Sequence, residues 1–256
     1  MSFSIAALLG IVEGITEFLP ISSTGHLILT QKLLGMQETE VLKSFDIAIQ
    51  LGAILAVVLI YGRSIKRTPN VWLPIITAFI PTAVIGLLLH SVVKTYLLGS
   101  STIVTWSLFI GGVIIILFEL LYKKETGNIR SLEAIPLKTA LAIGLCQSLA
   151  LVPGVSRSAA TMLGGILLGV ERRTIVDFSF LLAIPTMAAA TSFDLLKSAH
   201  LFTAQDASTL CIGFITAFIT AYIVIRWLLK FIQTHTFTVF GIERIVVAVL
   251  FWVWVS

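Results

Sequence analysis

Charge is what this chain has least of. Asp, Glu, Lys and Arg make up 12% of its 256 residues, and 57% are hydrophobic; a soluble domain carries roughly 25% charged residues. That balance excludes a globular domain with a solvated surface. It also removes nucleic acid as a partner: the net charge of +4 reports loop bias in so apolar a chain. No basic residue precedes Lys32, so the cationic head of a secretory signal is lacking and the first apolar segment is expected to insert uncleaved. Cysteine occurs twice, at Cys146 and Cys211, both in apolar stretches. These read as small core residues, not as a disulfide or metal site. Of four histidines, His90, His200 and His235 are scattered, and nothing groups them as ligands. Alternating segments of about ten residues, the mark of a membrane barrel, are also missing.

What the chain does have is long apolar runs, at about 3–20, 45–61, 73–93, 102–121, 137–152, 175–193, 209–229 and 238–255. Their length says helices. The first and fifth differ from the rest: each runs into a polar turn and resumes as a short apolar piece, Leu27–Leu34 and Thr161–Leu168, too brief to span. Both read as re-entrant hairpins, with irregular backbone tolerated at depth where it faces protein or a wet cavity. Pro20 and Pro153 stand 133 residues apart, as do Ser23 and Ser156, and Phe45 and Phe178. The expected fold is therefore all-α and integral to the membrane: six transmembrane helices plus two re-entrant helical hairpins in an inverted-topology repeat. Residues 1–256 form one polytopic domain, with repeat 1 at about 1–122, a linker at about 123–136 and repeat 2 at about 137–256. Eleven Lys and Arg flank one side of this topology, against Lys32, Lys43, Lys94 and Lys197 on the other. The richer side is cytoplasmic by the positive-inside rule, so both termini and the first hairpin's mouth are expected outside. Only Arg157 and Arg244 lie within segments.

The polar residues gather at the two turns. In Glu13-Gly-Ile-Thr-Glu17-Phe-Leu-Pro20-Ile-Ser22-Ser23-Thr24-Gly25-His26 the carboxylates are four apart, one turn above each other on a helix that Pro20 ends. Two such acids suit a hard cation, Mg²⁺ or Ca²⁺, bridging to phosphate. Ser22, Ser23, Thr24 and Gly25 form a small-residue turn able to cradle phosphate, and His26 adds a titratable group. The second turn carries Arg157 among Ser156, Ser158 and Thr161. An arginine at depth needs a partner: a structural ion pair with Glu13 or Glu17, or a phosphate gripped by its planar fork with the neighbouring hydroxyls assisting. Elsewhere, Asp46 and Gln50 read as support for the site or as a helix cap, Gln147 as a core hydrogen-bonding residue, and Glu171-Arg172-Arg173 as a solvated loop.

Four motifs taken together, the first turn, Phe45-Asp-Ile-Ala-Ile-Gln-Leu-Gly52, Pro153-Gly-Val-Ser-Arg-Ser158 and Phe178-Ser-Phe-Leu-Leu-Ala-Ile-Pro185, resemble the bacterial undecaprenyl-diphosphate phosphatase family of the bacitracin-resistance type. The resemblance covers essentially the whole chain. It implies a hydrolase of the bacterial inner or plasma membrane that converts the lipid diphosphate to the monophosphate at the outer face, recycling the carrier for peptidoglycan synthesis and conferring bacitracin resistance. It places catalysis on Ser23, His26, Glu17 and Arg157, substrate binding on Ser22, Thr24, Gly25, Ser156, Ser158 and Thr161, and a divalent cation on Glu13 and Glu17. Ser23 attack with His26 as base, His26 attack and water activation all fit these residues. The polyprenyl diphosphate and the bilayer are the implied partners, and a homodimer is admitted. A lipid transporter or flippase is the rival class, on the strength of the repeat alone.

Overall fold

The computed structural model describes every residue except 38, 94–96, 98–99, 123–126, 199–203 and 256. Lys94, Lys123, Lys124 and His200 fall outside the described residues. Among the described residues ten α-helices follow in order: α1 (Phe3–Thr16), α2 (Ser23–Leu33), α3 (Glu40–Arg67), α4 (Trp72–Val92), α5 (Ser101–Leu121), α6 (Leu137–Ser148), α7 (Arg157–Leu167), α8 (Arg172–Ser198), α9 (Ala204–Phe231) and α10 (Thr238–Val255). Among the described residues, five stretches within α3, α4, α5, α8 and α9 are long and apolar enough to cross a bilayer. Large apolar side chains such as Leu88, Leu121, Ile223 and Trp254 point outward, as they do where lipid is the solvent. The protein is an all-helical, multi-pass membrane protein.

α1 and α6 are 14 and 12 residues long, short of the roughly 20 a span needs. α1 stops at Thr16, two residues short of Phe18, because Pro20 biases Leu19 away from helical backbone. α6 gives way to a 3-10 turn at Leu149–Leu151 before Pro153. Each chain then turns and starts a second short helix on a serine cap: Ser22 Oγ accepts from Gly25 N, and Ser156 Oγ from Ala159 N at 3.1 Å. Both resumed helices begin four residues earlier than the apolar pattern indicated, since a cap and not hydrophobicity sets the first turn.

Packing pairs the helices in a regular way. α1 lies on α9 as α6 lies on α4, α3 meets α9 as α8 meets α4, and α5 with α10 and α3 with α8 complete the set. Small residues permit these approaches: a Cβ at Gly14 would overlap the backbone of Ala217, and one at Gly144 that of Ala78. Phe18, Phe178, Phe180 and Ile75 are wholly buried in the central core, where the Phe18 and Phe180 rings meet edge to face at 5.3 Å. Two expectations need correcting. Cys211 is exposed on α9 and Cys146 half-buried, because lipid accommodates a thiol as readily as a core does. Arg172 is no loop anchor: it grips the buried Glu119 with both nitrogens, at 2.5 and 2.8 Å, while Glu119 also accepts from Phe237 N, tying α5, α8 and α10 at one end.

Where the two turns meet, Arg244 of α10 is 1% exposed and makes no ion pair among the described residues. Its guanidinium donates to the carbonyls of Pro20 (3.3 Å), Gly154 (2.9 Å), Ser107 (2.9 Å) and Leu108 (3.3 Å). Gly111 makes the room, since any side chain there would collide with the guanidinium. Gly154 holds φ at +88°, a conformation that favours glycine, and so presents its carbonyl to Arg244. Replacing Arg244 with Met strands the Pro20 and Gly154 carbonyls, so Arg244→Met should lower stability by on the order of 2 kcal/mol or more. Thermal melts in detergent check this against Arg226→Met, which should leave the midpoint unchanged.

Candidate active site

Glu17 caps α1, its N–H bonded to Glu13 O at 2.9 Å, so the two carboxylates sit one turn apart. After Pro20 the chain reverses at Ser22, held at φ 76° and ψ 96°, a backbone state that costs a non-glycine residue about 1–3 kcal/mol. That distortion aims the Ser22 carbonyl at His26, which bonds it through both its backbone N (3.1 Å) and ring Nδ1 (2.8 Å). It also sets Ser23, the first residue of α2, against the acids. Ser23 Oγ donates to Glu17 Oε2.

The other Glu17 oxygen accepts from Arg157 Nη2 at 2.8 Å. Arg157 is the first residue of α7; its Nη1 donates to Ser179 O at 2.7 Å, and its guanidinium lies 5.9 Å from the Phe18 ring. One carboxylate thus holds a hydroxyl on one side and a guanidinium on the other. Glu13, beside it, is completely buried, and neither of its oxygens has a hydrogen-bond partner among the described residues; the same holds for Arg157 Nε. Polar atoms stranded at depth are expensive, so these three unpartnered atoms are the least satisfied part of the junction.

The remaining expected residues divide. Ser158 Oγ donates to the Leu19 carbonyl at 2.7 Å, and Ser156 Oγ pairs with Ser158 Oγ at 2.8 Å. These hydroxyls fasten the second turn to the first. Thr161 Oγ1 bonds back to Arg157 O at 2.8 Å within α7, Thr24 is half-buried, and Gly25 packs against Gly154 and Leu108 where the turns touch. Asp46 lies well inside α3, which begins at Glu40; it is no cap but accepts both bonds from the Gln31 amide, at 2.7 and 2.8 Å. Gln147 is buried and donates to Thr82 Oγ1 at 2.8 Å, a core hydrogen-bonding role. His26 makes no bond to Ser23. Its Nε2 instead meets Glu243 Oε1 at 2.8 Å, a contact from α10 that sequence reasoning missed, although adjacent charges at Glu243 and Arg244 inside an apolar run were a visible signal.

Comparison with known proteins identifies the family. The family model described as bacitracin resistance protein BacA matches residues 6–250. An undecaprenyl-diphosphatase of Aquifex aeolicus is 51% identical over 248 residues, 96% of each chain. Proteins of the same name from Sulfurihydrogenibium sp. and Campylobacter fetus are 49% and 45% identical, covering 97% and 100% of this chain and 98% and 100% of their own. With the whole length matched and both turns inside the match, the chain belongs to the BacA family of bacitracin resistance proteins.

Proposed function

We propose that the protein hydrolyses undecaprenyl diphosphate to undecaprenyl phosphate and phosphate. The observation that carries the proposal is the shared Glu17 carboxylate, with the Ser23 hydroxyl on one oxygen and the Arg157 guanidinium on the other. In this reading Glu17 takes the Ser23 proton, since His26 spends both ring nitrogens elsewhere. Ser23 Oγ then attacks the terminal phosphorus, the bond to the bridging oxygen breaks, and undecaprenyl phosphate leaves. Protonating Glu17 weakens its hold on Arg157, which frees the fork for phosphate oxygens as negative charge develops there. Water hydrolyses the phosphoserine in the second half, with Glu17 returning the proton.

The family resemblance implies a divalent cation, and the donor set fits one. Glu13 offers two unpartnered carboxylate oxygens, and Glu17 retains lone pairs beyond those bound by Ser23 and Arg157. Two acids are fewer ligands than a protein cage supplies, and no group of three or more His, Cys, Asp or Glu stands together among the described residues. Substrate oxygens and water would complete the sphere. A bound Mg²⁺ or Ca²⁺ supplies neutralisation of the diphosphate charge.

The same reading places α1–α2 and α6–α7 as re-entrant hairpins among six spans, in two inverted repeats joined by residues of about 123–136. Exchanging α1 to α5 with α6 to α10 maps the principal helix pairs onto one another, which supports the repeat. It sets both termini and the site's mouth on the outer face, where carrier recycling would confer resistance to bacitracin.

Three experiments test this. Purified protein should release phosphate from undecaprenyl diphosphate; Ser23→Ala should abolish release, and Arg157→Lys should melt normally yet lose on the order of 10² in turnover, about 2.7 kcal/mol. Equal rates for parent and Arg157→Lys would return Arg157 to a structural ion pair. Glu13→Gln should fold and be inactive, and a chelator should silence the parent, with Mg²⁺ restoring it; full activity in chelator refutes the metal. For orientation, a cysteine at Ser2 should react with an impermeant thiol reagent in spheroplasts and one at Asn128 should not.

A further inference from the structure

His26 is bound at both ring nitrogens, and its partners fix where its protons lie. Nδ1 sits 2.8 Å from the Ser22 carbonyl, which can only accept, so Nδ1 carries a proton. Nε2 sits 2.8 Å from Glu243 Oε1, and two lone pairs do not meet at that distance without a proton between them. One proton therefore occupies the line from Nε2 to Glu243, and the lone pair a general base needs is already taken. Glu243 in turn touches little else: its second oxygen is buried and has no hydrogen-bond partner among the described residues. Its backbone is fixed by the next residue, Arg244, anchored on carbonyls from both turns and α5. The side chains of the pair are 14% and 33% exposed, so it lies at the edge of the buried junction and not sealed within it.

We propose that Glu243 is a positioning residue for the diphosphatase reaction. It holds His26 in one ring orientation with a proton on the Nε2 side, so that an incoming phosphate oxygen can replace Glu243 Oε1 as the acceptor of that proton, while Glu17 alone takes the Ser23 proton. This rests on the diphosphatase reading above. The division of labour is physical: a carboxylate across from a ring nitrogen sets tautomer and direction, as an outer partner does for an imidazole at other sites.

The test uses the full-length protein in detergent with Glu243→Leu and Glu243→Gln, measuring kcat and KM separately on undecaprenyl diphosphate. Leu should lower kcat by about tenfold or more with KM within about twofold and the melting temperature unchanged, whereas Gln, whose carbonyl still accepts the Nε2 proton, should recover most of the loss. A Leu variant at parental kcat, Leu and Gln variants equally slow, or a loss matched by a fall in melting temperature would each overturn the assignment. A second readout is independent of activity: diethylpyrocarbonate modifies an imidazole nitrogen whose lone pair is free, so His26 should react slowly relative to the exposed His235 and faster in Glu243→Leu, by mass spectrometry of the labelled peptides. An unchanged labelling ratio sinks the inference. If the parent releases no phosphate at all, the diphosphatase reading is what fails, and the labelling ratio still decides whether Glu243 controls His26.

Discussion

A buried guanidinium that makes no ion pair among the described residues is the constraint on which the centre of this molecule depends. Arg244 reaches depth on α10 and is satisfied by carbonyl oxygens from the first turn, the second turn and α5. Removing a cation from water costs several kcal/mol, and four acceptors converging on one fork repay it only if all arrive together. The two broken helices are thus fixed relative to each other by backbone, independently of the charges they present. Ser158 on the Leu19 carbonyl adds a second fastening. Glu17 and Arg157 can then face each other across the junction without being what holds it closed, which leaves their contact free to change during a reaction.

The two halves use equivalent positions for different chemistry. Ser22 and Ser156 are both caps, so Ser23 and Arg157 are each the first residue of a short helix. From these matching places they approach the same carboxylate, one with a hydroxyl and one with a cation. Glu13 has its counterpart in Gln147, which is the same size but neutral and spends its amide on Thr82. A duplicated scaffold thus presents one charged and one uncharged version of the same pocket. Both leave buried oxygens without a hydrogen-bond partner among the described residues, two at Glu13 and one, Oε1, at Gln147.

The legible parts of the sequence are those whose cause is local. Apolar runs, the prolines that end them and the concentration of polar residues at two turns all act within a few residues, and a helix lies on each of the eight runs, although α2, α3 and α7 start earlier than the apolar pattern indicated. That Arg157 needs a partner at the first turn was legible too, but the choice of Glu17 over Glu13 was not, since the two acids stand one turn apart on the same helix face. Hydroxyls were not: nothing in Ser156 or Ser158 says whether the oxygen faces a ligand or the Leu19 carbonyl, since both are acceptors of the same kind. Asp46 resembled a cap because the apolar run begins beside it, whereas α3 starts earlier, at Glu40. The pairing of His26 with Glu243 spans 217 residues and leaves no periodic trace. Arg244 was visible as a charge, but its partners are backbone carbonyls, which every residue has.

Both Glu243 and Arg244 belong to α10, which follows the other nine helices among the described residues. During synthesis the acids, the serine and Arg157 have all left the ribosome before the residues that lock their turns together and hold His26. A chain cut short before Thr238 therefore contains Glu17, Ser23 and Arg157 yet lacks the Arg244 donors to the Pro20 and Gly154 carbonyls, and keeps the Ser158 bond to Leu19 across the junction. Order along the chain thus separates presenting the charges from pinning them: the junction gains its buried clamp only once α10 has packed on α5.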